Sequence, residues 1–235
     1  MNGDNSSLLF TRTGGTLVVT LTRPKLSAEA LRLLSRGMRE AESAPDLRSV
    51  ILTGQGDVFC LGGDLGNAVG GSSLDVLEFG EAFIELHREV TGLKLPVIAA
   101  VNGLAHGGGF SLVEACDVAV AAESARFAIP EIRTGAAPMM ALAGAHRTLT
   151  RKQAMWLALL GEELDANQAL QLGIVNLVVS DDQVMPTALS VAGRLAGYKA
   201  TSLQIVKAAY RSMDEGRFER QLRHGLSHLV VLLGV

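Results

Sequence analysis

The sequence predicts an α/β fold with a mostly parallel sheet, followed by a helical C-terminal region. Short, apolar, β-rich runs alternate with helical patterns through the first half of the chain. Such alternation indicates parallel strands joined by right-handed crossovers. Beyond Pro130 the strand signal fades and helical patterns dominate. We therefore expect a core over residues 1–180 and a helical region over residues 181–235.

The composition limits the classes of protein that this chain can be. With 235 residues, 48% of them hydrophobic and 19% charged, the chain can bury a sizeable core. The net charge is −3 and no basic run occurs, which argues against nucleic acid or an anionic membrane as a partner. Cys60 and Cys116 are expected to be small core residues. The N-terminus lacks a signal-peptide pattern and no apolar run is long enough to span a membrane, so we expect a cytoplasmic protein.

The first elements are predicted to be a β-hairpin and an amphipathic helix. β-rich runs at Leu8–Thr13 and residues 16–22 are separated by Gly14-Gly15. Ser27 can cap the next helix, which Pro45 would end. The apolar residues of that helix recur at helical spacing, at Leu31, Leu34, Met38 and Ala41.

The middle of the chain is predicted to alternate strands with helices. Strands are expected at residues 49–53, Val58–Cys60, 96–101 and 118–121. A long helix before the third strand has one apolar face, formed by Val76, Phe79, Phe83, Leu86 and Val90. The later helices are expected near Met139, Met155, Gln168, Val191 and Ile205, with one short β run at residues 174–179.

A glycine run, His106-Gly107-Gly108-Gly109-Phe110-Ser111, links a strand to a helix that is expected to end near Cys116. Adjacent glycines cost backbone entropy, and they suit a chain that approaches a ligand closely. An N–H group at a helix start carries the positive end of the macrodipole and can hold an oxygen that becomes negative. The run therefore indicates either an oxyanion hole or a plain tight turn.

Four motifs occur in a fixed order along the chain. They are Phe59-Cys60-Leu61-Gly62-Gly63-Asp64-Leu65, Asn102-Gly103-Leu104-Ala105-His106-Gly107-Gly108-Gly109, Cys116-Asp117-Val118 and Phe127-Ala128-Ile129-Pro130-Glu131-Ile132. With these motifs the chain resembles the crotonase (enoyl-CoA hydratase/isomerase) superfamily over residues 8–210. The resemblance implies a crotonase-like spiral of ββα units with a C-terminal helical trimerisation region, and a homotrimer or hexamer.

The resemblance also implies a substrate and a set of contacts. The substrate would be an acyl-CoA or acyl-carrier thioester, with coenzyme A as part of the substrate and no separate cofactor or metal. Backbone N–H groups of Gly63 and Gly108 would bind the thioester oxygen, and losing one such donor typically costs about 2.7–4 kcal/mol in the barrier. The carbonyl of Leu61, in the turn with Gly62, falls where the family receives the adenine amino group.

The acid/base residues depart from the two-glutamate pattern of family hydratases. Glu131 matches the second glutamate, and in apolar surroundings its pKa would be raised. The first position holds Ser111, which could bind a water. Glu114 lies on roughly the same helix face and is a weaker candidate for a displaced acid. A surface role for Glu131 at a helix start is the alternative.

Three further residues are candidates for substrate contacts. Lys25 is the one obvious cation left in a loop that is shorter than the family's coenzyme A phosphate-binding loop. His106 could line the acyl pocket or act as an acid, or it could be a satisfied histidine at a packed turn. Asp64 is expected to brace its loop. The family's closing C-terminal pattern is missing after Leu229.

A single acid/base favours double-bond isomerisation, because one group can remove a proton from one carbon and return it to another. Hydration needs a second group to activate water. Hydration with Glu131 and an ordered water, decarboxylation of an acyl thioester, and a non-catalytic binding protein remain as alternatives.

Overall fold

The computed structural model describes residues 7–64 and 73–232, without the side chains of residues 73, 214–219, 221 and 228–232. The strands are β1 Leu8–Thr13, β2 Thr16–Leu21, β3 Ser49–Gly54, β4 Val58–Cys60, β5 Val97–Val101, β6 Leu104–His106, β7 Val118–Ala122, β8 Arg126–Ala128, β9 Glu163–Asp165 and β10 Leu177–Val179. The α-helices are α1 Ala28–Ser43, α2 Ser73–Gly92, α3 Gly108–Ala115, α4 Met139–Thr148, α5 Arg151–Leu160, α6 Ala166–Gln171, α7 Val184–Ala196 and α8 Ala200–Leu232. Short 3₁₀ helices lie at Pro130–Thr134 and Asp181–Gln183.

The strands form two sheets, which confirms the α/β class. The six-stranded sheet has the order β1-β2-β3-β5-β7-β10 and is parallel except for the β1–β2 hairpin. The four-stranded sheet has the order β4-β6-β8-β9, with only β9 antiparallel to its neighbour. Successive strand pairs step from the first sheet to the second, and α2 and α3 follow two of these pairs. This succession is the expected spiral of ββα units.

Close backbone packing allows the chain to step between the sheets. Gly103 joins β5 to β6, and a Cβ at this position would lie 1.8 Å from the carbonyl oxygen of Asp57. The side chain of Asn102 accepts a hydrogen bond from the Gly54 amide and donates one to the Gly56 carbonyl. These contacts hold the carboxyl ends of β3 and β5 together, next to the start of β4.

The core explains which strands the sequence predicts well. β3 and β5 are buried at every position, as expected for parallel strands covered on both faces. Helix α1 begins at the predicted cap, where the Ser27 hydroxyl accepts from the Ala30 amide. Helix α7 packs across β3, β5 and β7 with small buried residues, among them Ala188 and Ala192.

The second sheet is the main difference from the sequence prediction. The strands β6, β8 and β9 are not predicted, because each has three residues of which at least one is polar or charged, unlike the equally short but wholly apolar β4. β10 begins at Leu177, later than the predicted start at residue 174. The residues before it, Ile174 and Val175, are buried outside the strand.

Helix α8 packs against α2 and α4. Gly80 of α2 leaves room for the side chain of Leu226, and Gly225 approaches the Met139 carbonyl. The Lys207 ammonium pairs with Asp117 and donates to the Leu95 carbonyl. None of the described helices has the length and apolar character needed to cross a membrane.

Candidate active site

The two glycine turns lie against each other. Gly62 has a φ of +94°, and a Cβ there would lie 2.9 Å from the backbone nitrogen of Gly108. A Cβ at Gly108 would in turn lie 3.2 Å from Cα of Gly62. The turn after β4 and the turn after β6 therefore meet at the N-terminal end of α3.

Gly107 and Gly109 also lie where close packing leaves no room for a side chain. Gly107 has a φ of +55°, and a Cβ there would lie 2.7 Å from Oε1 of Glu131. A Cβ at Gly109 would lie 2.0 Å from the Cys60 carbonyl oxygen, so α3 begins in contact with the end of β4. The glycines allow backbone and a carboxylate to approach one another.

The two amides expected to bind the thioester oxygen have no acceptor among the described residues. The Leu26 amide donates to the Gly62 carbonyl and the Asp64 amide donates to the Leu26 carbonyl, but these bonds leave the Gly63 N–H group unused. The Gly108 N–H group is at the first position of α3 and has no intrahelical acceptor. Both donors are thus available to an oxygen from outside the described chain.

Glu131 lies beside this pair of turns. It follows Pro130 at the start of the 3₁₀ helix, where proline suits the first position. Its Oε2 atom is buried and has no hydrogen-bond partner in the described structure. Burial raises the pKa of Glu131 above its ordinary value, in the direction expected from the sequence. The carboxyl group is therefore a desolvated proton carrier next to Gly107.

Ser111 makes a contact that the sequence does not predict. Its hydroxyl is fully buried and lies 2.9 Å from Nε2 of His87 on α2. Nδ1 of His87 lies 2.9 Å from the Phe83 carbonyl, which can only accept, so Nδ1 carries the proton and Nε2 accepts from Ser111. Burial lowers the pKa of His87 to about 4, which keeps the ring neutral near pH 7.

His87 is a site residue that the sequence prediction missed. It lies four positions after Phe83 on the apolar face of α2, and the two rings have a centroid distance of 4.0 Å. That spacing is the signal by which the sequence could have indicated His87, since a histidine among regularly spaced apolar residues of a helix is expected to be buried.

Glu114 faces a different part of the molecule. Its Oε2 atom accepts a hydrogen bond from the Thr148 hydroxyl on α4. Burial raises the pKa of Glu114 to about 8. The described contact of the Glu114 side chain is with Thr148, and neither the glycine turns nor Glu131 is a partner, so no described contact supports the displaced-acid hypothesis.

The cavity between the turns is small. It has a volume of about 10 Å³ and is lined by Gly62, Gly63, Gly108 and His87, with the apolar residues Leu26, Leu31, Cys60, Phe79, Phe83, Leu86 and Leu112. This volume is about enough for one water molecule. The rings of Phe79 and Phe83 pack on Gly63 and Gly108, so the wall beside the two amides is aromatic.

The remaining candidates lie around this centre. Leu61 is half-buried and its amide donates to the Pro24 carbonyl. Lys25 and Asp64 are exposed. Nε2 of His106 lies 3.1 Å from Oε2 of Glu163, an ion-pair distance without good hydrogen-bond alignment. The structure thus brings Gly62, Gly63 and Gly108 together around the small cavity. Glu131 lies against the adjoining Gly107 and, like Lys25, Asp64 and His106, does not line that cavity.

This arrangement can stabilise an oxyanion and move a proton. Two amide donors at a turn stabilise negative charge that develops on a carbonyl oxygen. A carboxyl group whose pKa is raised by burial can take and return a proton. The described residues include no group of three or more metal-ligating side chains suited to a metal ion.

Comparisons with known proteins show what this chain is similar to. A sequence model described as "Enoyl-CoA hydratase/isomerase" matches residues 11–229. A carnitinyl-CoA dehydratase of Salmonella typhi is 36% identical over 226 residues, which cover 94% of this chain and 86% of that protein. The structure of Pseudomonas aeruginosa DspI has a TM-score of 0.85 at 26% identity, covering 99% of this chain and 97% of that one. An enoyl-CoA hydratase/isomerase from Mycobacterium paratuberculosis shares the fold with a TM-score of 0.90 at 24% identity, covering 98% and 95% of the two chains.

Proposed function

Because this chain belongs to the enoyl-CoA hydratase/isomerase family, we propose that it moves the double bond of an unsaturated acyl-CoA or related acyl thioester. Glu131 is the acid/base, and the amides of Gly63 and Gly108 bind the thioester oxygen. One observation carries the proposal: the desolvated Glu131 carboxyl group lies against Gly107, next to two unused N–H donors.

The reaction needs one proton carrier. The Glu131 carboxylate removes a proton from C2 of a 3-enoyl thioester, and the electron pair moves into a dienolate whose charge lies on the thioester oxygen. The two amides stabilise that charge. The protonated Glu131 then returns its proton to C4, which gives the 2-enoyl thioester and restores the carboxylate.

The contacts of Ser111 support a single carrier. In place of a second carboxyl group, the chain has a hydroxyl that is buried and donates to neutral His87. Glu114 accepts a hydrogen bond from Thr148 on α4 and has no described contact with Glu131. In this proposal Glu131 is therefore the single proton carrier.

Hydration or dehydration is the second candidate. It is favoured by the relatives named carnitinyl-CoA dehydratase, which are 36% identical to this chain. In this case Glu131 would act with an ordered water, and the substrate would be a 2-enoyl or 3-hydroxyacyl thioester.

The first prediction tests the role of Glu131. We expect Glu131→Gln to lower kcat for conversion of 3-hexenoyl-CoA to 2-hexenoyl-CoA by about 10²–10⁴-fold, the range that general acid–base catalysis supplies. Absorbance of the conjugated thioester measures the rate. Glu123→Gln is the matched control, because Glu123 is an exposed glutamate directly after β7, and it should leave the rate unchanged.

The same assay separates the candidates. Turnover of 3-hexenoyl-CoA without hydration of 2-hexenoyl-CoA supports isomerisation. Hydration of the 2-enoyl thioester with the 3-enoyl thioester untouched contradicts it. If both thioesters are inert, and Glu131→Gln binds them as the wild type does, the chain is a binding protein without turnover.

We also propose that the chain assembles as a homotrimer or hexamer through its helical C-terminal region. Large apolar side chains are exposed on the outer face of α8, where Ile205 is 68% and Met213 84% exposed. Exposed apolar surface of this kind marks protein–protein contacts.

A further inference from the structure

We infer that a second cavity, enclosed by α2, α3, α4 and α8, binds a small aliphatic monocarboxylate. It has a volume of about 420 Å³, within the range of small-molecule sites. No described residue lines both this cavity and the small one at the glycine turns. The site is therefore separate from the proposed reaction, and its test stands apart from that of the proposed function.

The polar end of this cavity is formed by Glu114. Its Oε2 atom accepts from the Thr148 hydroxyl, while its Oε1 atom is buried without a hydrogen-bond partner. Buried polar atoms in native proteins are almost always hydrogen-bonded, so a partner for Oε1 is expected from outside the chain. Since burial raises the pKa of Glu114 to about 8, the group is mainly a neutral acid near pH 7 and can donate an O–H.

The charges around the cavity favour an anion. The described lining residues include four cationic side chains, Arg88, Arg147, Lys207 and Arg211. Among the described lining residues, the acidic groups are Asp117, which pairs with Lys207, and the mainly neutral Glu114. Arg147 is close enough to Glu114 to lower its pKa against the effect of burial. A ligand carboxylate could thus accept from Glu114 and lie near the Arg147 guanidinium.

The walls of the cavity indicate the rest of the ligand. Ile84, Val113 and Leu222 line it and are buried, with exposures of 1%, 2% and 2%. Val206 and Tyr210 are 67% and 64% exposed and lie where the cavity opens. A ligand with a single charge at one end and an aliphatic chain at the other matches this distribution. A phosphate dianion would leave the apolar walls without a partner.

The experiment uses octanoate as the probe, with inorganic phosphate and octylamine as comparison compounds. We expect isothermal titration calorimetry on the full chain at pH 7 to detect one octanoate per chain, and neither comparison compound. Arg147→Leu and Glu114→Leu should each weaken octanoate binding at least ten-fold. Arg36→Leu is the control, because Arg36 is exposed on α1 and does not line the cavity, and it should bind octanoate like the wild type.

Folding is checked by urea unfolding of each variant. Glu114→Gln provides a second variant of similar shape, which keeps an N–H donor and should retain most of the binding. The inference is overturned if octanoate does not bind. This holds equally if water fills the cavity and if a second copy of the chain does. It is also overturned if phosphate binds as well as octanoate, or if Arg147→Leu and Glu114→Leu both bind octanoate like the wild type.

Discussion

Several side chains around α3 are buried, and their burial decides whether they are charged or neutral. The pKa of Glu131 is raised, that of Glu114 is raised to about 8, and that of His87 is lowered to about 4. Desolvation is the largest cause in all three, and it always favours the neutral form. The region around α3 therefore holds proton carriers whose state depends on packing.

Glu114 makes the stability of the fold depend on pH. Its pKa is about 8 in the folded protein against an ordinary value of 4.5. An acid whose pKa is raised on folding contributes its full stability below pH 4.5, and that contribution is lost as the pH rises through about 8. We expect Glu114→Gln and the wild type to have similar free energies of unfolding at pH 4.5. At pH 9 the variant should be more stable, by on the order of a few kcal/mol.

Urea unfolding at both pH values measures this difference. His87 is present in both proteins, so its own titration cancels in the comparison. Glu123→Gln, at an exposed position, should show no such change with pH. A Glu114→Gln variant that follows the wild type from pH 4.5 to pH 9 would show that Glu114 is not desolvated.

At the scale of elements, the site depends on two tight turns in which the glycine positions leave no room for a side chain. β4 ends in the turn with Gly62, β6 ends in the turn with Gly107, and α3 starts where the two meet. The hydrogen bond between His87 and Ser111 joins α2 to α3 on the other side of the same helix start. These contacts hold the Gly108 amide in place relative to Glu131.

Gly107→Ala tests this arrangement. Alanine would have to adopt the positive φ of this position, and its Cβ would collide with Oε1 of Glu131, so we expect a loss of about 1–3 kcal/mol in the free energy of unfolding. Displacement of the carboxyl group should also lower kcat for 3-hexenoyl-CoA by about 10²-fold. Urea unfolding and the isomerase assay measure the two effects.

Gly193→Ala is the matched control. Gly193 lies inside α7, is exposed, and an added Cβ would meet nothing within 4 Å. This variant should gain about 0.4–1 kcal/mol in stability with no change in activity. A Gly107→Ala protein with wild-type stability and turnover would mean that Glu131 does not lie against this turn.

At the scale of the whole molecule, two sheets and the packed helices form one hydrophobic core, and α8 extends along its outside. Lys207 and Arg211 tie the first half of α8 to the Leu95 and Gly92 carbonyls. Its outward face remains apolar at Ile205 and Met213. A helix anchored in this way can present a fixed apolar surface to another copy of the chain.

We expect the wild type to sediment as a trimer or hexamer, and the double variant Ile205→Lys/Met213→Lys to sediment as a monomer, because buried lysines oppose association. Analytical ultracentrifugation measures the mass. Leu9→Lys is the control, since Leu9 is an exposed leucine on the edge strand β1, and its assembly should be unchanged. A monomeric wild type, or an assembly that both lysines leave intact, contradicts the proposed role of α8.

Much of this architecture follows from local patterns. The hairpin around Gly14, the Ser27 cap, the buried strands β3 and β5 and the apolar face of α2 are all predicted and confirmed. Side-chain periodicity and cap chemistry belong to neighbouring residues, so the sequence alone carries them. The four ordered motifs likewise indicate the family before any contact is known.

Tertiary packing decided what lies far apart in the chain. The three-residue strands β6, β8 and β9 form because partners from other elements complete their hydrogen bonds. The same packing placed Ser111 against His87, turned Glu114 toward Thr148 and left Glu131 beside Gly107. Desolvation and hydrogen-bond partners depend on which surfaces meet, and no local periodicity encodes that. For this reason the sequence determined the elements and the family, and the tertiary structure decided which carboxyl group adjoins the two amides.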